Sequence, residues 1–350
     1  MVQFDNRKAT TSGSVGHQGI EDGSKIVLNT DTTNNPKKSD SQNSISKSLS
    51  VSEANSSIVS SKKRFTDELK SHLAGIGQVI FSQKPIVGLT CLVGISLYSP
   101  ILAVGAIGGS VLGNLFADLW RYDKNNINQG LYGFNSALVG IATLNFFSIS
   151  PQSCALVLAG SALSTYIMEK MREVGLSPRT APFVLSTWAI MAIGHVLNLS
   201  VANSANFGIF GSVTNSITDF GVLRGIGQIM FQNDPITGIL FLAGILATSR
   251  KQGYFAIGGS IIGSAVALSF GVSQSVVTAG LWSYNSALSA SAFINQTTKN
   301  ISSTEVLKSG GAVLASLAFF ALFNSAGLPA LTAPFVLATW CIDYLSKKRL

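Results

Sequence analysis

The sequence predicts an all-α polytopic membrane protein built as two inverted repeats of five spans, each with a half-membrane helix. Three observations lead there. Charged residues make up 11% of 350 and the mean hydropathy is +0.39, whereas a soluble globular chain carries about a quarter charged residues. The charges are also crowded: residues 1–70 hold ten Lys/Arg and eight Asp/Glu, while Ile86–Ala117 and Gln252–Thr298 hold none. So much uncharged apolar sequence finds its natural solvent in a bilayer. The third observation is a repeat of letters at a displacement of about 150 residues.

In chain order, residues 1–66 are rich in Ser, Asn, Thr, Lys and Gln and have no aromatic side chain between Phe4 and Phe65. Such a segment cannot bury enough apolar surface to offset the entropy of ordering it, so a disordered tail is expected. The first residues show no basic stretch followed by an apolar core, and no cleavable signal peptide is expected. The first repeat is assigned to 67–201, a connection to 202–218 and the second repeat to 219–350. Apolar segments fall at 86–98, 101–119, 131–148, 152–168 and 182–200, then at 236–249, 254–271, 276–294, 309–326 and 333–346. Several are shorter than the roughly 20 residues of a straight span, so they extend into polar flanks or belong to broken helices. Leu69–Phe81 and Phe220–Phe231 are helical in character but too short and polar to cross. Each precedes the first span of its half, as a half-membrane helix would.

Charge placement gives a topology. With the tail in the cytoplasm, alternate linkers on that side carry Arg121–Lys124, Lys170–Arg179, Arg250–Lys251, Lys299–Lys308 and Lys347–Arg349. The opposite linkers, 99–100, 149–151, 272–275 and 327–330, carry no Lys or Arg. Both termini are therefore expected to be cytoplasmic. Five spans per half turn the second half upside down relative to the first.

The repeat is legible residue by residue. Gly75–Phe81 (GIGQVIF) recurs as Gly225–Phe231 (GIGQIMF), and Gly130–Leu138 (GLYGFNSAL) as Gly280–Leu288 (GLWSYNSAL). Thr180–Trp188 (TAPFVLSTW) recurs as Thr332–Trp340 (TAPFVLATW) at a displacement of 152. Ordered blocks at nearly one displacement mean duplication, and odd spans per half imply a pseudo-two-fold axis in the membrane plane.

The repeated polar letters have plain and functional readings. Gln78 and Gln228 either bond a neighbour's backbone or face a common pathway, where a carboxamide meets a small polar solute without the desolvation cost of a charge. Thr180 and Thr332 precede Pro182 and Pro334 by two residues at helix starts. Their hydroxyls can cap those helices, line a cavity, or do both. Phe81, Phe134, Phe231 and Tyr284, with Leu138 and Leu288, read either as packing or as narrow walls that admit a thin planar solute. Asn135 and Asn285 read as fixing backbone or interhelical contacts, and Cys91, Cys154 and Cys341 as small buried hydrophobes.

Taken together, these motifs resemble the urea transporter family. The resemblance rests on G-x-G-Q-x-x-F at 75–81 and 225–231, on the two Asn-Ser-Ala-Leu blocks, and on Leu328-Pro329-Ala330-Leu331-Thr332-Ala333-Pro334-Phe335. It covers about residues 70–346 and implies two inverted five-span halves around a central pore in each subunit. It also implies a homotrimer and passive passage of urea down its gradient. Carried over, it implies oxygen ladders at Thr180 and Thr332, polar side chains at Gln78 and Gln228, and aromatic slots at Phe81, Phe134, Phe231 and Tyr284. Val79, Ile229, Leu138 and Leu288 would narrow the route. Three departures stand out: Arg179 abuts Thr180, Tyr284 pairs with Phe134, and Ser283 and Ala290 replace Gly133 and Gly140.

Other function classes fit less well. His17, His72 and His195 are far apart, and no Gly-rich loop carries a phosphate-binding Lys, so no enzyme, cofactor or metal is expected. The basic residues form no stripe with interleaved aromatics, which argues against nucleic acid as a partner. An ion-coupled carrier would need a site for its driving ion, and Glu169 and Asp219 lie only near segment ends. The nearest alternative is a channel for other small neutral amides or ammonia. The expected partners are urea, the lipid bilayer and further copies of this chain, in a cell membrane.

Overall fold

Proline and serine set most helix starts. In the computed structural model, which describes residues 59–202 and 221–348, Pro85, Pro100 and Pro151 open α2 (Pro85–Tyr98), α3 (Pro100–Leu119) and α6 (Pro151–Glu173). Proline suits this position because its missing N–H would have no partner in the helix. Ser99 and Ser150 cap α3 and α6, the latter in a reciprocal box with Ser153. Between these lie α1 (59–78), α4 (Lys124–Asn128) and α5 (Gly133–Phe146), and α7 (Ala181–Val196) closes the set. The second set is α8 (Val222–Gln228), α9 (Pro235–Thr248), α10 (Arg250–Ser269), α11 (Gln274–Thr278), α12 (Tyr284–Ser291), α13 (Ser303–Ser325) and α14 (Ala333–Lys347). The fold is all-α, with an isolated bridge between Phe147 and Val201.

The chain from Asp67 onward forms one packed unit. The expected disordered tail lies outside the described residues up to residue 58, and 59–66 are helical. Most of the expected connection, from residue 203, also lies outside them.

Corresponding helices agree in length: 14 residues in α2 and α9, 20 in α3 and α10, 23 in α6 and α13. Helix α12 is much shorter than its counterpart, 8 residues against 14 in α5. The apolar run 276–294 is therefore not one helix. It divides into α11, a turn in which Gly280 takes φ +73°, and α12. Glycine is required at this turn and at its counterpart Gly130: a Cβ would stand 2.3 Å from the amide nitrogens of Gly225 and Gly75, on top of the left-handed φ.

Contacts between the two sets come in reciprocal pairs. Trp188 donates its indole N–H to the Pro329 carbonyl at 2.9 Å, and Trp340 donates to Ser177 at 2.8 Å. On α2 and α9, Gly94 faces Thr237, while Gly244 faces Val87. Shifting each residue to its repeat mate converts one contact into the other, which is the signature of a self-complementary interface. One buried apolar cluster runs through both sets, and a smaller one joins α10, α12 and α13.

Among the described residues, two helices, Pro100–Leu119 and Ser303–Ser325, are long and apolar enough to cross a membrane. Val104, Leu115 and Leu119 on the first and Leu307, Leu314 and Leu322 on the second are exposed. Apolar faces of that size suit lipid better than water. Of the three cysteines only Cys91 is buried; Cys154 and Cys341 are exposed, so reading all three as buried hydrophobes holds only for the first.

Gly140 and Gly133 have the larger mates Ala290 and Ser283 in the second half. A Cβ on Gly140 would lie 2.0 Å from the Gly105 carbonyl oxygen, whereas the mate positions are Ala290 and Phe255. Gly140→Ala is therefore expected to destabilise by about 1–3 kcal/mol through overpacking, and Ala290→Gly by about 1 kcal/mol or less. Thermal unfolding of the two purified variants checks the asymmetry; equal losses would contradict it.

Candidate functional site

Helices α7 and α14 start among buried residues, and their first turns need partners for free amides. Thr180 and Thr332 occupy the two N-cap positions, but neither side chain makes a cap hydrogen bond. The amides are served from elsewhere. Asn135 Oδ1 accepts from the Phe183 amide at 3.2 Å, and Asn285 Oδ1 accepts from the Phe335 amide at 3.2 Å. The same side chains donate backwards, Asn135 to the Arg179 carbonyl at 3.2 Å and Asn285 to the Leu331 carbonyl at 3.0 Å. Each asparagine thus clamps both sides of a helix start, in agreement with the backbone-fixing role expected of it.

These clamps hold a costly conformation. Arg179 and Leu331 have φ of +51° and +47°, where non-glycine residues pay about 1–2 kcal/mol. The strained residue directs the next one inward, and the two threonine hydroxyls meet, Oγ1 to Oγ1, at 2.6 Å. Both are buried, at 5% and 3% exposure. Because asparagine does the capping, the threonine oxygens are left to face each other. A hydroxyl pair can both accept and donate, so it can exchange hydrogen bonds with an amide without a charged group being present.

Rings flank the pair on each side, again reciprocally. Phe81 meets Phe335 edge to face at 6.3 Å between centroids, and Phe231 meets Phe183 at 6.1 Å. Exposure increases outward: the threonines, Phe183 and Phe335 are buried, whereas Phe81 and Phe231 are half-buried. Both outer phenylalanines sit at φ +64°. Phe231 also meets Phe146 at 5.7 Å.

The remaining expected residues divide. Val79, Ile229, Leu138 and Leu288 are buried in matched positions, as is Phe134. Gln78 and Gln228 do not meet; each donates its amide within its own half, to the carbonyls of Gln129 and Ala279, the latter at 3.0 Å. These bonds tie the C-terminal ends of α1 and α8 to the ends of α4 and α11. Tyr284 turns its extra hydroxyl onto the Leu331 carbonyl at 2.6 Å and its ring onto Phe320. Arg179 extends away from Thr180 to Asp343 on α14 at 3.3 Å and lies over the Phe293 ring. Its charge is balanced by an anion of the other half. Glu169 bonds Arg172 and the Tyr132 hydroxyl, and Asp219 lies outside the described residues.

Phe146, Phe183 and Phe335, which make these ring contacts, are residues that the sequence reading misses. The last two stand in the nearly identical Thr-Ala-Pro-Phe blocks, so the repeat itself is the signal that could have found them.

The profile of the family described as "Urea transporter" matches residues 69–347. The chain belongs to the urea transporter family. This family member is 31% identical over 304 residues to a protein named Urea transporter 1 from Mus musculus, covering 79% of this chain and 76% of that one. Its identity to Urea transporter 1 from Ovis aries is 29% over 303 residues, with the same coverage. Family membership and its two long apolar helices make it a membrane protein.

Proposed function

We propose that this chain is a passive urea channel whose route passes the Thr180–Thr332 pair between the Phe81 and Phe231 slots. The observation that carries the reading is the buried hydroxyl pair at the meeting of two helix starts, with rings on both sides. Urea loses hydrogen bonds to water as it enters and regains some from the threonine oxygens and from carbonyls of the segments leading to α7 and α14. An ion would lose its hydration shell between rings and receive no countercharge, so neutral solutes are favoured. No bond is made or broken in the solute, and no enzymatic step is involved.

The same proposal includes ten membrane crossings in two inverted halves and assembly as a homotrimer, each subunit with its own pore. The reciprocal contacts support the inversion. Gln78, Val79, Phe134, Leu138, Gln228, Ile229, Tyr284 and Leu288 complete the proposed lining and its immediate support. Proteoliposome shrinkage under urea, acetamide, formamide and glycerol gradients tests the solute. Urea fastest is the expected result, while acetamide or formamide fastest would favour the reading as a channel for other neutral amides.

Inversion is tested with repeat mates. Asp123 and Ser273 correspond at a displacement of 150 and are both exposed. Single cysteines there, in a chain lacking Cys91, Cys154 and Cys341, are expected to label from opposite sides, with position 123 cytoplasmic. Labelling of both from one side would overturn the inverted topology.

A further inference from the structure

The two ends of the proposed route are not chemically alike, and one residue makes the difference. Asn145 and Asn295 keep the displacement of 150, so Gln296 stands where the first half has Phe146. Geometry agrees with that register. Phe146 lays its ring on Phe231, and Gln296 donates its Nε2 to the carbonyl oxygen of Phe81, the mate of Phe231, at 2.8 Å. Around Gln296 the residues are more polar and charged than their mates. Lys251, Gln252 and Glu305 replace Ile101, Leu102 and Ser153 of the first half.

These replacements hold the chain between α12 and α13. Gln252 Oε1 accepts from Gln296 at 3.0 Å. Lys251 Nζ bonds Glu305, Thr298 and the Asn300 carbonyl. Glu305 accepts from the amides of Asn295 and Ser302 at 2.7 and 2.8 Å. The corresponding turn of the first half is held without charged groups: the Ser148 and Ala202 amides donate to the Ser200 and Phe146 carbonyls, the Ser148 hydroxyl donates to Val201, and Ser153 closes a box with Ser150. Gln296 is exposed, and its Oε1 accepts no hydrogen bond among the described residues. An anchored amide on an exposed residue, its oxygen accepting no bond among the described residues, therefore stands at the Phe81 end, where the Phe231 end offers a ring.

We infer that Gln296 is a specificity-determining residue, giving the Phe81 entrance an amide group that accepts N–H donors of the incoming solute. This rests on the channel reading above. A solute rich in N–H gains from the bond, and an N-methylated one, with fewer donors and apolar bulk, gains less. The full chain in proteoliposomes is tested as wild type, Gln296→Leu, Gln296→Phe and Phe146→Gln, with urea and 1,3-dimethylurea as solutes. Flux is normalised to folded protein.

Loss of the amide is expected to lower urea flux by roughly two- to tenfold and 1,3-dimethylurea flux by less, so their ratio falls. Phe146→Gln, which places an amide at the other end, is expected to raise the ratio. If the wild type conducts urea and the ratio stays put in both Gln296 variants, the inference is overturned while the channel reading stands. If either Gln296 variant fails to fold, the other and Phe146→Gln decide it. A wild type that conducts no urea overturns the channel reading itself.

Discussion

Valine at both Thr180 and Thr332 is expected to slow urea flux per folded protein by roughly five- to a hundredfold while leaving the fold about as stable as the wild type. The two hydroxyls bond each other at 2.6 Å in a buried place. A single Thr332→Val or Thr180→Val strands the surviving hydroxyl, at about 1–3 kcal/mol, whereas removing both is nearly neutral. Flux follows a different order. Each lost oxygen withdraws a partner from a desolvated solute, and about 1–3 kcal/mol in the barrier gives the stated slowing. Stability is thus expected to be worst in the single variants and flux worst in the double one. Thermal unfolding and initial urea flux, measured on the same four proteins, separate the effects. Full flux in the double variant would remove the threonines from the route and leave them only as a structural contact.

Asn285→Leu combined with Tyr284→Phe is expected to cost about 3–5 kcal/mol, more than the two single changes together. The Leu331 carbonyl accepts from both side chains, at 3.0 and 2.6 Å. Asn285→Leu alone leaves the Phe335 amide without its acceptor, at about 1–3 kcal/mol, but the carbonyl keeps Tyr284. Tyr284→Phe alone removes one bond of about 0.5–1.5 kcal/mol. Only the double change leaves the carbonyl of the strained residue with neither donor, so the pair should couple. Chemical unfolding in detergent gives the double-mutant cycle. Strict additivity would mean that the carbonyl finds another donor and that the clamp is looser than the distances indicate.

Much of this arrangement was legible because the gene's duplication wrote each element twice. Asn135 and Asn285 were readable as backbone clamps, and the structure gives each both a carbonyl and an amide to hold. Capping by threonine was a fair reading of Thr-x-Pro, but it fails because an asparagine from another helix already serves that turn. No local pattern carries such a long-range bond. The meeting of Thr180 with Thr332 is likewise invisible in either block alone: mates touch each other only where they lie on the axis relating the halves.

The aromatic assignments show a second limit. Phe81 and Phe231 were marked, yet their ring partners Phe335 and Phe183 come from the opposite half. Composition names rings but not which half supplies the partner. The break between α11 and α12 was hidden inside the apolar run 276–294, where only Gly280 announces the turn. The contrast between Phe146 and Gln296 was hidden by the shift in displacement from 150 to 152, which falls in the same stretch.

The most direct test of the central claim is stopped-flow shrinkage of proteoliposomes containing the full chain under a urea gradient, with no ion or proton gradient present. The expected result is urea efflux well above that of empty liposomes, unchanged by ionophores that collapse ion and proton gradients. Efflux no faster than through lipid alone, or efflux that appears only when an ion gradient is imposed, would contradict a passive urea channel.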